Sequence, residues 1–125
     1  MDTALWILQV LLGAAFIGLG LMHAASAGKL PSQPQMQWMA AVPAPYMRTI
    51  GILEVLGGLG LILPWITGIA PWLTVVAAGC LVLLMVAAAI FHWRRAGERP
   101  NMVFNLILGV LALIVFLGRT VAYPY

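Results

Sequence analysis

Four apolar runs, each about as long as a bilayer crossing, constrain this chain more than any other feature. They cover roughly residues 4–25, 46–63, 72–93 and 101–118, and a helix needs about 20 residues to cross the hydrocarbon core. Between them lie a Pro-rich loop over 26–45, a tight uncharged turn at Pro64–Pro71 and a charged loop at 94–100. No polar segment exceeds about twenty residues, which is far below the size of a soluble domain. Of the 125 residues, 64% are hydrophobic and 7% charged, whereas a soluble domain carries about 25% charged residues. The expected fold is therefore all-α, an integral membrane four-helix bundle formed as a single membrane domain over residues 1–125.

The first run ends in Ala25-Ser26-Ala27, which mimics a signal-peptidase site. However, Asp2 is the only charged side chain ahead of it, where a signal peptide carries Lys or Arg. A retained first helix is expected. Gln9, Gly13, Phe16, Gly20 and His23 share an arc of about 80° on that helix, so this face should turn inward. Pro31, Pro34, Pro43 and Pro45 make the next segment a loop, with a short interfacial helix expected near Gln35–Ala41.

The second span carries a carboxylate, Glu54, near its middle. Gly51, Gly57 and Gly58 fall within about 60° of it on a helix, and Leu61 within about 20°. Small residues let another helix approach closely in a membrane, so these glycines are candidate packing residues and the face should point at protein. An ionisable group at membrane depth is costly and is a functional candidate by default. Glu54 is thus a candidate proton carrier or anchor of a polar ligand such as a quinone headgroup. The plainer alternative is a protonated, hydrogen-bonded carboxyl that fixes packing.

The remaining polar residues give fewer leads. His23, Arg48, His92 and Asn105 lie toward the basic-loop end and join Glu54 as candidate ligand or proton-site residues. Glu54 itself is about 12 Å along the helix from Tyr46. The two histidines could relay protons or ligate a haem, but they match no known ligand spacing and read first as interfacial residues at helix ends. No metal site is expected. On the fourth span Asn101, Asn105, Ala112 and Arg119 share an arc of about 40°. Five tryptophans near span ends read as interfacial anchors. Lone Cys80 reads as a small buried hydrophobe.

Charge gives an orientation. Lys29, Arg48, Arg94, Arg95 and Arg99 flank the two basic loops, and Arg119 alone lies at the other side. The positive-inside rule then places loops 26–45 and 94–100 in the cytoplasm and both termini outside. Arg94, Arg95 and Arg99 are also a weak candidate dock for an acidic soluble partner. A net charge of +3 from so few, helix-end residues does not read as nucleic-acid binding. No catalytic residue stands out: there is no nucleophile–base pair, phosphate loop or dinucleotide fingerprint.

Three stretches stand out together: Gly51-Ile-Leu-Glu-Val-Leu-Gly-Gly-Leu-Gly-Leu61, Leu63-Pro-Trp-Ile-Thr-Gly-Ile-Ala-Pro-Trp-Leu73, and Ala89-Ile-Phe-His-Trp-Arg-Arg95 followed by Pro100-Asn101. In combination they resemble the DoxX-like family of small bacterial four-helix membrane proteins. The resemblance implies the bacterial inner membrane. The family takes its name from a small subunit of a thiosulfate:quinone oxidoreductase, and some relatives are linked to redox complexes. Only Glu54 and His92 match positions typical of the family's motifs, and neither carries a transferable role. The resemblance favours an accessory or anchor subunit of a quinone-linked system with no chemistry of its own. Such a bundle would sit in lipid, offer a quinone or proton site, and meet a soluble oxidoreductase partner. The alternatives are a small proton-coupled transporter of lipophilic solutes, working as a homodimer with Glu54 as coupling acid, and a structural or assembly role. A bundle without a bound cofactor can bind and orient but lacks the hard chemistry of electron transfer.

Overall fold

A computed structural model describes residues 2–27, 38–39, 41–95, 97–122 and 124. The expected interfacial helix near Gln35–Ala41 falls mostly outside them; Trp38 and Met39 lie in a short 3₁₀ turn. Four helices follow in order: α1 (Asp2–Ala25), α2 (Ala44–Thr67), α3 (Trp72–Trp93) and α4 (Arg99–Leu117), the last running on into a π-helical turn, Gly118–Ala122. Each of the four is long and apolar enough to cross a membrane. They surround an apolar core that includes Leu12, Phe16, Leu61, Leu81, Met85 and Ala112, and a smaller apolar cluster of Ala27, Met39 and Met47 lies beside it. Large side chains such as Leu11, Leu56, Leu83 and Val121 face outward, as a bundle solvated by lipid requires.

Glycine sets the α1–α2 spacing. A Cβ at Gly51 would lie 2.5 Å from the Gly20 carbonyl oxygen, and one at Gly58 would lie 2.5 Å from that of Gly13. Backbone meets backbone there, so the small face of α2 lies against α1. Gly57 and Gly60 turn the other way, where added Cβ atoms would meet Leu81 and Ala77 of α3 at 2.6 Å.

The turn expected at Pro64–Pro71 is shorter than its proline suggests. Helix α2 continues through Pro64 to Thr67 and ends at Gly68, whose φ of 71° is left-handed. Proline cannot donate to the carbonyl four residues back, which is that of Gly60. The Thr74 hydroxyl of α3 donates to the Gly60 carbonyl at 2.9 Å instead. One residue on, the Gln9 amide of α1 donates to the Leu61 carbonyl at 2.8 Å. Two neighbouring helices thus supply donors beside Pro64, and the helix survives it.

Candidate functional site

Two polar clusters lie at opposite ends of the bundle. The first forms where α1 and α3 end and α2 and α4 begin. His23 Nδ1 and Glu54 Oε1 are 2.5 Å apart, with both residues buried. The α1–α2 register set by the glycines leaves them offset by about 9 Å along the helix axis. Side chains on a helix lean toward its N-terminus, and these helices run antiparallel, so His23 and Glu54 lean toward each other and close the offset. With one proton between them the pair is neutral, whichever atom holds it, and this lowers the cost of an acid at membrane depth.

A second histidine–carboxylate pair stands on the other wall. His92 Nδ1 lies 2.7 Å from Glu98 Oε1, and Arg95 Nε donates to Glu98 Oε2 at 2.6 Å. The Arg95 guanidinium also lies 5.4 Å from the centre of the Phe91 ring. Partial burial pushes the Glu98 carboxyl up, but hydrogen bonds from Arg95 and then His92 outweigh it and hold the group below its ordinary value.

Trp38 stands between the two histidines. Its ring centre is 5.6 Å from that of His23 and 4.8 Å from that of His92, both edge to face. Its indole nitrogen is buried and has no hydrogen-bond partner among the described residues. Both imidazoles, at helix ends as expected, are buried and paired, and the indole is packed between them. Among the described residues, no group of three or more His, Cys, Asp or Glu side chains could hold a metal ion.

His23, Glu54, His92 and Trp38, but not Glu98 or Arg95, line a cavity of about 390 Å³ whose other walls are largely apolar, a volume in the usual range for small-molecule sites. His23, Glu54, His92, Asn101 and Asn105 all face it. Arg48 does not. Six residues before Glu54, it falls about 120° away around α2 and is exposed. Arg94 and Arg99 are exposed at the loop surface, whereas Arg95 is engaged with Glu98 and Phe91.

The second cluster was legible only in part. Arg119 is fully buried, not a helix-end surface charge. Its Nε donates to Gln9 Oε1 at 2.5 Å, and its guanidinium lies 3.7 Å from the centre of the Trp65 ring. Trp65 therefore covers a buried cation and is not simply an interfacial anchor. Gln9 accepts from Arg119 and donates to Leu61, so it ties α1 to both α4 and α2. The inward arcs containing Gln9 and Arg119 were the available signal. Cys80, expected to be buried, is exposed on the outer face of α3.

Four apolar helices of spanning length around a shared core define a multi-pass membrane protein. Its class can be narrowed further: the chain belongs to the DoxX-like family, whose model matches residues 7–115. No curated protein and no solved structure gives a significant match.

Proposed function

We propose that this protein is an accessory or anchor subunit of a quinone-linked redox system in the bacterial inner membrane, with no redox chemistry of its own. The observation that carries this reading is the largely apolar cavity lined by the His23–Glu54 pair and by His92, which is itself paired with Glu98. A quinone ring is flat and apolar, and its carbonyl oxygens need hydrogen-bond donors and, on reduction, protons. Imidazole N–H groups and the amides of Asn101 and Asn105 are donors suited to that ring. His23 with Glu54, and His92 with Glu98, are pairs able to hold and pass a proton. Electrons would come from a soluble oxidoreductase, with exposed Arg94 and Arg99 at the loop where it docks. The positive-inside rule places that loop in the cytoplasm.

The test is a pull-down in mild detergent read by mass spectrometry, with Glu54→Gln run in parallel. A stoichiometric soluble oxidoreductase, and quinone retained by the wild type but lost from Glu54→Gln, are the expected results. A chain recovered alone as a defined dimer would sink the subunit reading. Proton-coupled uptake of lipophilic solutes by vesicles would then put a transporter in its place. Loss of a partner's abundance on deletion, with no quinone bound, would assign an assembly role.

A further inference from the structure

We infer that the cavity is also a site for a small organic cation with an alkylated ammonium head, which binds in exchange for the proton that His23 and Glu54 share. The inference goes beyond the quinone reading and needs neither a quinone nor a redox partner.

The rings give the first half of the site. Trp38 and Phe91 have ring centres 6.1 Å apart with their planes at 67°, Trp38 and His92 4.8 Å at 89°, and Phe91 and His92 5.2 Å at 78°. Three rings at near right angles make a corner, and all three residues line the cavity. Tyr46 adds a fourth ring from α2 and Phe104 a fifth from α4. Clustered aromatic rings are the usual means of recognising alkylated ammonium groups, because the ring faces are electron-rich and the cation is weakly hydrated.

Charge gives the second half. The chain has six Lys and Arg residues, yet among the described residues none lines the cavity, and Glu54 is the one carboxylate that does. Of the other two acids, Asp2 begins α1 at the opposite end and Glu98 is engaged with Arg95 and His92. Arg95 lies near Phe91, but its partner Glu98 cancels its charge there. Around Glu54, α1 contributes His23, α3 contributes His92, and α4 contributes the uncharged amides of Asn101 and Asn105. On α2 itself Tyr46 faces the cavity, and Arg48 is exposed on another side. The acid is joined to the corner through His23, which is 2.5 Å from Glu54 and whose ring centre is 5.6 Å from that of Trp38.

The exchange follows from counting charge. While the pair holds one proton it is neutral, and a cation beside it would be buried without a counter-charge, which is costly. When that proton leaves for water, the pair carries one negative charge beside the aromatic corner, and a monovalent cation restores neutrality. Proton and cation therefore exclude each other, one for one. Binding tightens as the pH rises, by up to about tenfold per unit, for as long as the free pair keeps its proton.

Calorimetry of the full chain in mild detergent tests this with benzyltrimethylammonium and, as a competitor, neopentylbenzene, which has the same shape with carbon in place of the charged nitrogen. The wild type should bind one cation, about tenfold more tightly than the neutral isostere. Binding should be weaker at about pH 6 than at about pH 8, and buffers of different ionisation heat should report about one proton released per cation. Glu54→Gln has no proton to exchange, so the cation's advantage and the proton release should both disappear while the isostere still binds. Trp38→Leu should weaken the cation more than the isostere, and Phe104→Leu, at a half-exposed position that tolerates the change, should do so to a smaller degree. Equal affinity for the two probes, binding that ignores pH, or an unchanged cation affinity in Glu54→Gln would each overturn the inference. So would ring variants that weaken both probes alike, since the rings would then be shaping the cavity and not meeting a charge. None of these results bears on quinone retention, which is read separately on the wild type.

Discussion

Glu54 and His23 depend on each other in a way that neither residue shows alone. Removing the imidazole leaves a buried carboxyl without its partner, and burying an unpaired polar group is costly. His23→Leu should therefore destabilise the protein by about 2–3 kcal/mol. Glu54→Gln keeps the shape and a hydrogen-bonding side chain, so it should fold normally while losing the proposed quinone binding and any proton-dependent function. Thermal unfolding in detergent across the double-mutant cycle should return a coupling of at least about 1 kcal/mol. Additive effects would mean that the pair is incidental. Glu98 gives a pH prediction of defined sign. Its folded-state value is lowered, so the clasp it forms with Arg95 and His92 stabilises the loop above the ordinary carboxylate range. That contribution is lost as the pH falls through the lowered value. Amide hydrogen-exchange protection at Arg94, Arg95, Gly97 and Glu98, taken relative to the intrinsic rate at each pH, should fall on that acid limb, and Glu98→Gln should flatten the profile.

At the scale of helices, the glycines divide into those that cannot carry a side chain and those that can. A methyl at Gly58 would press on the Gly13 carbonyl and on Ile17, and one at Gly51 on the Gly20 carbonyl and Ala24. Backbone atoms cannot rotate away, so Gly51→Ala and Gly58→Ala should each cost about 1–3 kcal/mol through overpacking. Gly18 has nothing within 4 Å of a built Cβ. Gly18→Ala should be neutral or stabilising by up to about 1 kcal/mol, from helix propensity. Unfolding in one detergent compares the three directly. If all three behaved alike, propensity and not packing would govern the α1–α2 seam.

At the scale of the whole molecule, both histidine–carboxylate pairs lie at one end and the Arg119–Gln9–Trp65 cluster at the other. The protein thus has a hollow polar end beside the basic loops and an end where a buried arginine is held by a glutamine and covered by an indole. Membrane orientation decides which compartment meets the cavity. In a Cys80→Ser background, Gly97→Cys should be labelled by an impermeant thiol reagent only from the cytoplasmic face, and Pro124→Cys only from the opposite face. The reverse pattern would move the proposed docking loop to the outside and end the case for a cytoplasmic oxidoreductase.

The sequence by itself determined the class of the protein: four spanning helices, a glycine-flanked acid turned toward protein, and membership of the DoxX-like family. Those properties are local or periodic, so run length, rotation about one helix axis and short motifs suffice to read them. Only the tertiary structure decided which partners the polar residues take. His23 and Glu54 are 31 residues apart and Gln9 and Arg119 are 110 apart. Their meetings depend on the register and tilt between helices, which no single helix encodes. The same holds for Pro64, which reads as a helix end until Thr74 and Gln9 are seen to donate to the carbonyls beside it. It holds for Trp38 as well, an interfacial anchor by position that packing places between two imidazoles.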